Sequence, residues 1–262
     1  MSIDTTTNMQ SLSVILITKN EGHNLEDCLS SISDVAQEII VVDSNSNDET
    51  LDIAKKYGAV IATPDDWPGF GPQKNRALAL ASKEWVLSLD ADERLTKELS
   101  NEIKLVLSKP EADCYAIPRS SWYCGRFMKH SGWSPDYVDR LFKRGSAKFS
   151  DHLVHERLIP TGPVNQLTSP MLHYSFRNFS QVLQKIDRYS SDSAKQAFAK
   201  NKRSSPLKAV LHGLWTFIRT YILKLGFLDG SQGLALAISN AEGSYYRYIK
   251  IWLMQQKTHH DN

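Results

Sequence analysis

Cysteine is scarce in this 262-residue chain: Cys28, Cys114 and Cys124 are odd in number and scattered. Their spacing excludes a secreted disulfide framework and a cysteine-based zinc site, and points to a reducing, cytosolic compartment. The opening MSIDTTTNMQ lacks the apolar core of a signal peptide, so residues 1–10 are expected to be a flexible N-terminus and export is not expected. Internal repeats and low-complexity tracts are also missing. Gly69-Phe70-Gly71 has neither the third glycine nor the preceding strand of a dinucleotide fingerprint. No phosphate-cradling glycine loop follows the first apolar run, which disfavours a nucleotidyltransferase. His152 and His155 in HLVHE do not form the helical His-Glu-x-x-His zinc pattern.

What is present is ordinary for a folded soluble chain, with 41% apolar and 23% charged residues. The net charge of +2 conceals an asymmetry: 13 of the 31 basic residues but only 5 of the 29 acidic ones lie from Phe176 onward. A basic, aromatic-rich end suits a solvated face or an anionic lipid surface. Nucleic acid is not expected, because no recognised binding motif accompanies the charge.

The runs SVILIT, EIIVVD and EWVLSLD read as buried strands. Helical patterns through Leu25 to Ile32, Thr50 to Tyr57, Gln73 to Ala81 and Thr96 to Leu107 separate or follow them, with a short strand at Val60 to Ala62. Such alternation predicts an α/β fold with a mostly parallel central sheet and helices on both faces. Ligands of such sheets bind at the carboxyl ends of the strands, where Asp43 and Asp90 stand. The expected organisation is a catalytic domain over 11–175, closed by short extended pieces (CYAIPR, DRLFKR, HLVHERL), and a C-terminal helical extension over 176–262. That extension reads as three helices: one to Ala199, one from Pro206 to Leu225, one from Gly233 to Met254. In the second, Lys208, His212, Thr216, Arg219, Thr220 and Lys224 form a narrow polar stripe on an otherwise apolar segment. Arg219 is too central for a spanning helix, which leaves docking on an anionic membrane surface, or packing within the domain or a dimer.

LSLDADE sets Asp90 and Asp92 directly after a strand, a pattern suited to a hard divalent cation such as Mg2+ or Mn2+ and to a substrate phosphate. The competing reading is a cap for the following helix by Asp92 and Glu93. VVDSNSNDET ends the neighbouring strand with Asp43, placed to accept hydrogen bonds from a ribose or base, or simply to form a turn. Lys74 is a cation suited to phosphate, or an exposed helix lysine.

TKNE, VVDSNSNDET, GFGPQKNRAL and WVLSLDADE, in that order, resemble family 2 glycosyltransferases. The family pattern after the second strand is Asp-Asp-Gly-Ser-x-Asp-Gly-Thr. Asp43, Ser46, Asp48 and Thr50 match it, whereas Ser44, Asn45 and Glu49 depart from it. Asn45 tolerates the left-handed backbone that glycine would provide; Glu49 puts the detail of the turn in question. SWYCGRFMKHSGWSPD, RLFKR, SDHLVHE and YILKLGFLDGSQGL further resemble bacterial lipopolysaccharide inner-core glucosyltransferases that act on heptose.

The resemblance implies a GT-A nucleotide-diphospho-sugar transferase fold and a metal-dependent, inverting hexosyl transfer from a UDP-sugar, UDP-glucose above all. The acceptor would be a lipopolysaccharide or related lipid-linked glycan. Thr18, Asn20, Glu21 and Asp43 would surround the nucleoside; Gln73, Lys74 and Asn75 would lie beside it or the diphosphate. Asp90 and Asp92 would hold ribose and metal. Inverting transfer needs one general base, for which Glu156 is the candidate and Asp151 the rival; an ion pair of Glu156 with Arg157 or Arg140 is the structural alternative. His155 or His173 could contact metal or diphosphate. Trp122, Trp133 and Tyr137, among Arg119, Arg126 and Lys129, suit sugar stacking or plain packing. The enzyme is expected to work peripherally on the cytoplasmic face of the inner membrane. Another nucleotide-sugar enzyme and a non-catalytic, membrane-docked binding protein are the alternatives.

Overall fold

The computed structural model describes residues 11–151 and 156–260. Residues 1–10, His152 and His155 lie outside the described residues. Packing divides the chain into two compact units, Met1–Arg119 with Asp136–His173, and Ser120–Pro135 with Tyr174–Asn262.

The first unit opens with β1 (Leu12–Thr18), α1 (Gly22–Ile32), β2 (Glu38–Asp43), α2 (Thr50–Lys56), β3 (Val60–Ala62), α3 (Phe70–Leu80), β4 (Trp85–Ser88), β5 (Glu93–Leu95) and α4 (Lys97–Ser108). Strands β3, β2, β1 and β4 lie side by side and parallel. Then β6 (Cys114–Tyr123), β7 (Arg126–Phe127) and β8 (Tyr137–Lys143) follow in sequence, with β8 antiparallel to both β4 and β6. Short strands β9 (Ala147–Phe149), β10 (Leu158–Pro160) and β11 (Val164–Gln166) lead to β12 (Met171–Phe176), whose first residues pair with β5.

Side chains alternate across a strand, and the sequence uses both sides. Leu12, Val14, Leu16, Val41 and Leu87 point to a core shared with Leu25 and Leu29 of α1 and Leu99 and Ile103 of α4. Their neighbours Ile15, Ile40, Val42 and Val86 point the other way, against Ala77 and Ala81. A strand buried on both faces must be apolar throughout, which is why SVILIT and EIIVVD are continuous runs. Each large side chain so buried stabilises the fold by about 1.5–3 kcal/mol.

In the first unit two element boundaries differ from the sequence reading, and the alternative of a helix cap at Asp92 and Glu93 falls away. Helix α3 begins at Phe70, three residues before Gln73, because Gly69 turns the chain at φ 113° and Pro72 falls in the first turn, where its missing N–H costs no helical bond. Strand β4 stops at Ser88, and the separate strand β5 follows; three residues are too short to show a period. The cap of α4 is Thr96, whose side chain accepts from Leu99 N. Asp92 and Glu93 are therefore free of that task.

The second unit contains α5 (Phe179–Ala199), α6 (Pro206–Ile218) and α7 (Gly230–His260). A π-helical turn at Arg219–Leu223 continues α6, Leu225 reverses the chain at φ 54°, and a 3-10 turn at Gly226–Asp229 leads into α7. The buried Asp229 carboxylate gathers the backbone N–H groups of Lys129 and His130 and the Ser131 hydroxyl, each at 3.0 Å. Burial opposes its charge, but these donors outweigh burial and hold its pKa below the usual value. Asp229→Ala should lower stability by about 2–3 kcal/mol, since three donors lose a charged acceptor. Urea unfolding followed by circular dichroism checks this. Because the folded pKa is depressed, the wild-type advantage should be complete above about pH 4 and vanish as pH falls through the folded value.

Candidate active site

The register of β1 on β2 places Thr18 beside Asp43 at the carboxyl edge of the parallel strands. Asp43 is fully buried and accepts from Thr18 Oγ1 at 2.8 Å, Ser46 N at 2.8 Å and Ser46 Oγ at 2.5 Å. The loop after β2 is thereby wound around its own carboxylate. It is also tied to the loop after β1: Asn20 N donates to Ser46 Oγ and Asn47 N donates to Asn20 Oδ1. Gly22 N donates to Asp48 and Glu21 N to Thr50 Oγ1. Asn20 and Asn45 hold φ values of 55° and 59°, the left-handed region that asparagine tolerates. Glu49 is accommodated by Gly22: a Cβ there would come within 2.7 Å of its side chain.

Beside these loops is a cavity of about 360 Å3 lined by Ile17, Thr18, Lys19, Glu21, Trp67 and Phe70. Trp67 and Phe70 meet edge to face at 5.0 Å and are both exposed. Such rings offer a surface for a flat aromatic ligand, with stacking worth about 1–3 kcal/mol per base in nucleic-acid complexes. Burial lifts the Glu21 pKa, and Asn24 donates to its carboxylate. Trp67, just before α3, and Phe70, its first residue, are not among the site residues expected from sequence.

A second cluster is centred on Asp90. Its Oδ1 meets Lys74 Nζ at 2.9 Å and its Oδ2 meets an Arg140 nitrogen at 2.6 Å. The same Arg140 nitrogen reaches Glu93 Oε1 at 2.7 Å, while Asp90 N donates to Glu93 Oε2. Arg119 joins Glu93 at 3.7 Å and Asp136 at 2.6 Å. Lys74 Nζ also meets Glu156 Oε1 at 2.9 Å, so one buried ammonium bridges two carboxylates from distant parts of the sequence. Burial opposes the Asp90 charge, but Arg140 and Lys74 overcome it and hold the pKa far below the carboxylate range. Burial raises the Glu93 pKa, with Asp90 adding to the effect even against Arg140. The Arg140 pKa is raised in turn: burial opposes its charge, and the two carboxylates outweigh it.

Helix α3 delivers Lys74 because its first turn lies unusually close to the chain after β9. A Cβ on Gly71 would stand 1.8 Å from the Ser150 carbonyl oxygen and 3.4 Å from Glu156 Cβ. Gln73 is buried, donates to Ser44 Oγ and accepts from Arg76. Asn75 exchanges two 2.9 Å bonds with the backbone of Phe149. Both amides fix the helix against its surroundings, and Lys74 is the residue between them that reaches the carboxylates.

Asp92 stands apart from this network by its partner. Its side chain is about as exposed as that of Asp90, 31% against 35%, and lies 3.4 Å from His173 Nε2, which the pairing of His173 with Glu93 brings alongside. Among the described residues no cluster of three histidine, cysteine or acidic side chains has metal-binding geometry. The donor types nonetheless suit a divalent cation at Asp92 with His173, a carboxylate and an imidazole. Asp90, with an oxygen committed to each of two cations, suits the role less. The Glu156 partner is Lys74 rather than the Arg157 or Arg140 anticipated from sequence, and Asp151 is exposed. Of the residues considered for sugar stacking, Trp122 packs on Phe127 and Tyr174, and Trp133 on Tyr123 and Phe176.

Residues 13–166 match the family described as Glycosyl transferase family 2. The chain belongs to that family. An uncharacterized glycosyltransferase of Rickettsia prowazekii (strain Madrid E) is 30% identical over 257 residues, covering 93% of this chain and 87% of that protein. The lipopolysaccharide core biosynthesis glycosyltransferase LpsC of Rhizobium meliloti (strain 1021) is 28% identical over 256 residues, covering 90% and 93%. Among solved structures, S. aureus TarS 1-349 in complex with UDP aligns with a TM-score of 0.51 at 17% identity, covering 95% of this chain and 92% of that one. The fold of this glycosyltransferase is accordingly the GT-A arrangement that the resemblance implied.

The buried ion cluster makes a sharp demand on stability. Arg140→Met should cost about 3–5 kcal/mol, because Asp90 and Glu93 would be left facing each other without their shared cation. Adding Glu93→Leu should recover a large part of that loss. Chemical denaturation of the two variants and of Glu93→Leu alone closes the cycle, and strict additivity would contradict the coupling.

Proposed function

We propose that this glycosyltransferase moves glucose from UDP-glucose, with inversion at the anomeric carbon, onto lipopolysaccharide core or a related lipid-linked glycan. The observation that carries the reading is the Lys74 bridge, which gathers Glu156 and Asp90 into one cluster. The named function of LpsC, similar over nearly the whole chain, supports the acceptor class. The uracil would stack at Trp67 and Phe70, with Thr18, Asn20, Glu21 and Asp43 around the nucleoside. Asp90 would face the ribose, while Gln73 and Asn75 keep Lys74 aimed at the diphosphate.

Glu156 is the proposed general base. It takes the proton of the acceptor hydroxyl as that oxygen attacks the anomeric carbon and the diphosphate departs from the opposite side. Lys74 links the two events, since its ammonium can turn from the carboxylate that gains a proton toward the phosphate that gains charge. Asp92, with His173 and the outer edge of Asp90, would hold a divalent cation, which compensates charge on the leaving diphosphate. The imidazole donor favours Mn2+ over Mg2+.

Incubation with a panel of UDP-sugars, Mn2+ or Mg2+ and truncated lipopolysaccharide acceptors, read by mass spectrometry, tests the transfer. Glu156→Gln should lower the rate by at least about 100-fold while UDP-glucose still binds. Asp92→Ala should abolish the metal-dependent rate. Wild-type turnover in either variant would remove that residue from its role, and no transfer with any donor would sink the enzyme reading.

The second unit supports a peripheral site of action, on the cytoplasmic face of the inner membrane. Among the described residues no helix is long and apolar enough to cross a membrane. Helix α6 is nonetheless turned inside out relative to an ordinary amphipathic helix. Its polar His212 stacks on Tyr248 at 3.8 Å, Thr216 bonds back to the His212 carbonyl, and Thr220 is buried. The small residues Ala209 and Gly213 seat the helix on α7, where a Cβ at Gly213 would approach Ala241 O to 3.3 Å. Leu207, Leu211, Leu214, Trp215, Ile222 and Leu223 are each at least half exposed, beside exposed Lys208, Arg219 and Lys224. No acidic residue occurs between 193 and 228. An apolar surface of this extent with a purely basic border fits an anionic bilayer interface. The full chain should float with vesicles containing anionic phospholipid and much less with neutral ones. Leu211→Glu with Leu214→Glu should reduce the bound fraction at least fivefold; unchanged flotation would contradict the assignment.

A further inference from the structure

A cavity of about 450 Å3 lies wholly within the second unit, between α5, α7 and the aromatic residues that precede them. Its walls follow from helical spacing. Lys185, Tyr189 and Ser193 recur every four residues along α5, and Asn240, Gly243 and Arg247 share one face of α7. Trp133 and Phe176, 6.1 Å apart, close one side.

Three features of the lining point to one kind of ligand. Its charged residues are both cations, Lys185 and Arg247, and among the described residues neither has an acidic partner; Lys185 rests on the rings of Phe176 and Tyr189 at 4.6 and 5.6 Å. The Nε of Arg247 is buried and donates to nothing among the described residues, a desolvated donor that a native fold seldom leaves unused. The Ser193 hydroxyl and the Asn240 amide likewise spend no hydrogen bond on the protein among the described residues. An acyl chain would need none of these polar groups, and a bare anion would not need the aromatic walls.

We propose that this cavity binds a negatively charged sugar, a saccharide carrying a phosphate or a carboxylate. Arg247 and Lys185 take the anionic group, Asn240 and Ser193 bond to ring hydroxyls, and the aromatic side chains cover the apolar faces of the ring. Gly243 supplies room on α7: a Cβ there would meet Ile186 at 3.7 Å, ordinary contact, whereas a longer side chain would enter the cavity. The inference stands on the second unit alone and does not require that the transfer reaction proceed as proposed above.

Saturation-transfer NMR on the full chain, with saturating UDP present to occupy any donor site, provides the test. Glucose 6-phosphate, glucuronic acid, glucose, inorganic phosphate and dodecyl phosphate are the probes. At least one acidic sugar should bind at least tenfold more tightly than glucose and inorganic phosphate; which one distinguishes phosphate from carboxylate. Lys185→Gln with Arg247→Gln should weaken that binding at least fivefold, and Gly243→Leu should abolish it, with UDP affinity and circular dichroism unchanged. Gly243→Ala, which fits the space, should keep it and controls for the backbone. Equal binding of glucose, tighter binding of dodecyl phosphate than of either acidic sugar, or acidic-sugar binding that survives Gly243→Leu would overturn the proposal.

Discussion

Burying charge is the constraint on which the first unit turns. Glu93, Lys74 and Arg140 are buried around the partly exposed Asp90 carboxylate, and none of the three would be tolerated there alone. An isolated ion moved into the protein interior loses several kilocalories of hydration free energy, which only a close counter-charge can offset. Each member therefore fixes where the next must stand. Arg140 has to project from β8 toward the end of β4, and Lys74 has to arrive from the first turn of α3. The cost of misplacing either is what makes the geometry rigid before any ligand arrives, and electrostatic preorganisation of this sort is the largest contribution in many enzymes.

The same argument separates Asp90 from Asp92. Two residues apart in sequence, they look interchangeable as cation ligands. In the fold both side chains are about one third exposed, but one is clamped by Lys74 and Arg140, while the other has an imidazole at its edge. A clamped carboxylate keeps its charge and position over a wide pH range. An unclamped one exchanges water for a ligand at little cost. Positioning and ligation are thus divided between two residues of one short motif.

Sequence reasoning reached the parallel strands because burial on both faces leaves continuous apolar runs, and it reached Asp43 and Asp90 because strand ends are where such sheets expose polar groups. It did not reach β5, which is three residues long, nor the pairing that brings His173 alongside Asp92 from eighty residues away. Arg140 could be seen as a charge on a strand, but not as the cation shared by Asp90 and Glu93. Its polarity argues for an exposed edge, and only the register of β8 on β4 shows otherwise. In the second unit, helical period gave α5 and α6. The end of α6 was missed because a π turn keeps the same apolar character as the helix it follows. Polar residues at helical spacing showed a narrow stripe but not which way it faces; His212 turns inward to stack on Tyr248 of α7, and Thr220 is buried.

Glu49 shows how a local departure from a family pattern can be absorbed. Glycine at that place would leave space above α1; glutamate fills it, and the absence of a side chain at Gly22 is what makes the filling possible. The backbone of the turn does not have to change, because Asp48 still accepts from Gly22 N and Thr50 still accepts from Glu21 N. The left-handed residue the turn needs is supplied by Asn45. What holds this turn is a set of backbone and hydroxyl donors converging on Asp43 and Asp48. The departures at three of the seven specified positions, Ser44, Asn45 and Glu49, leave those donors in place.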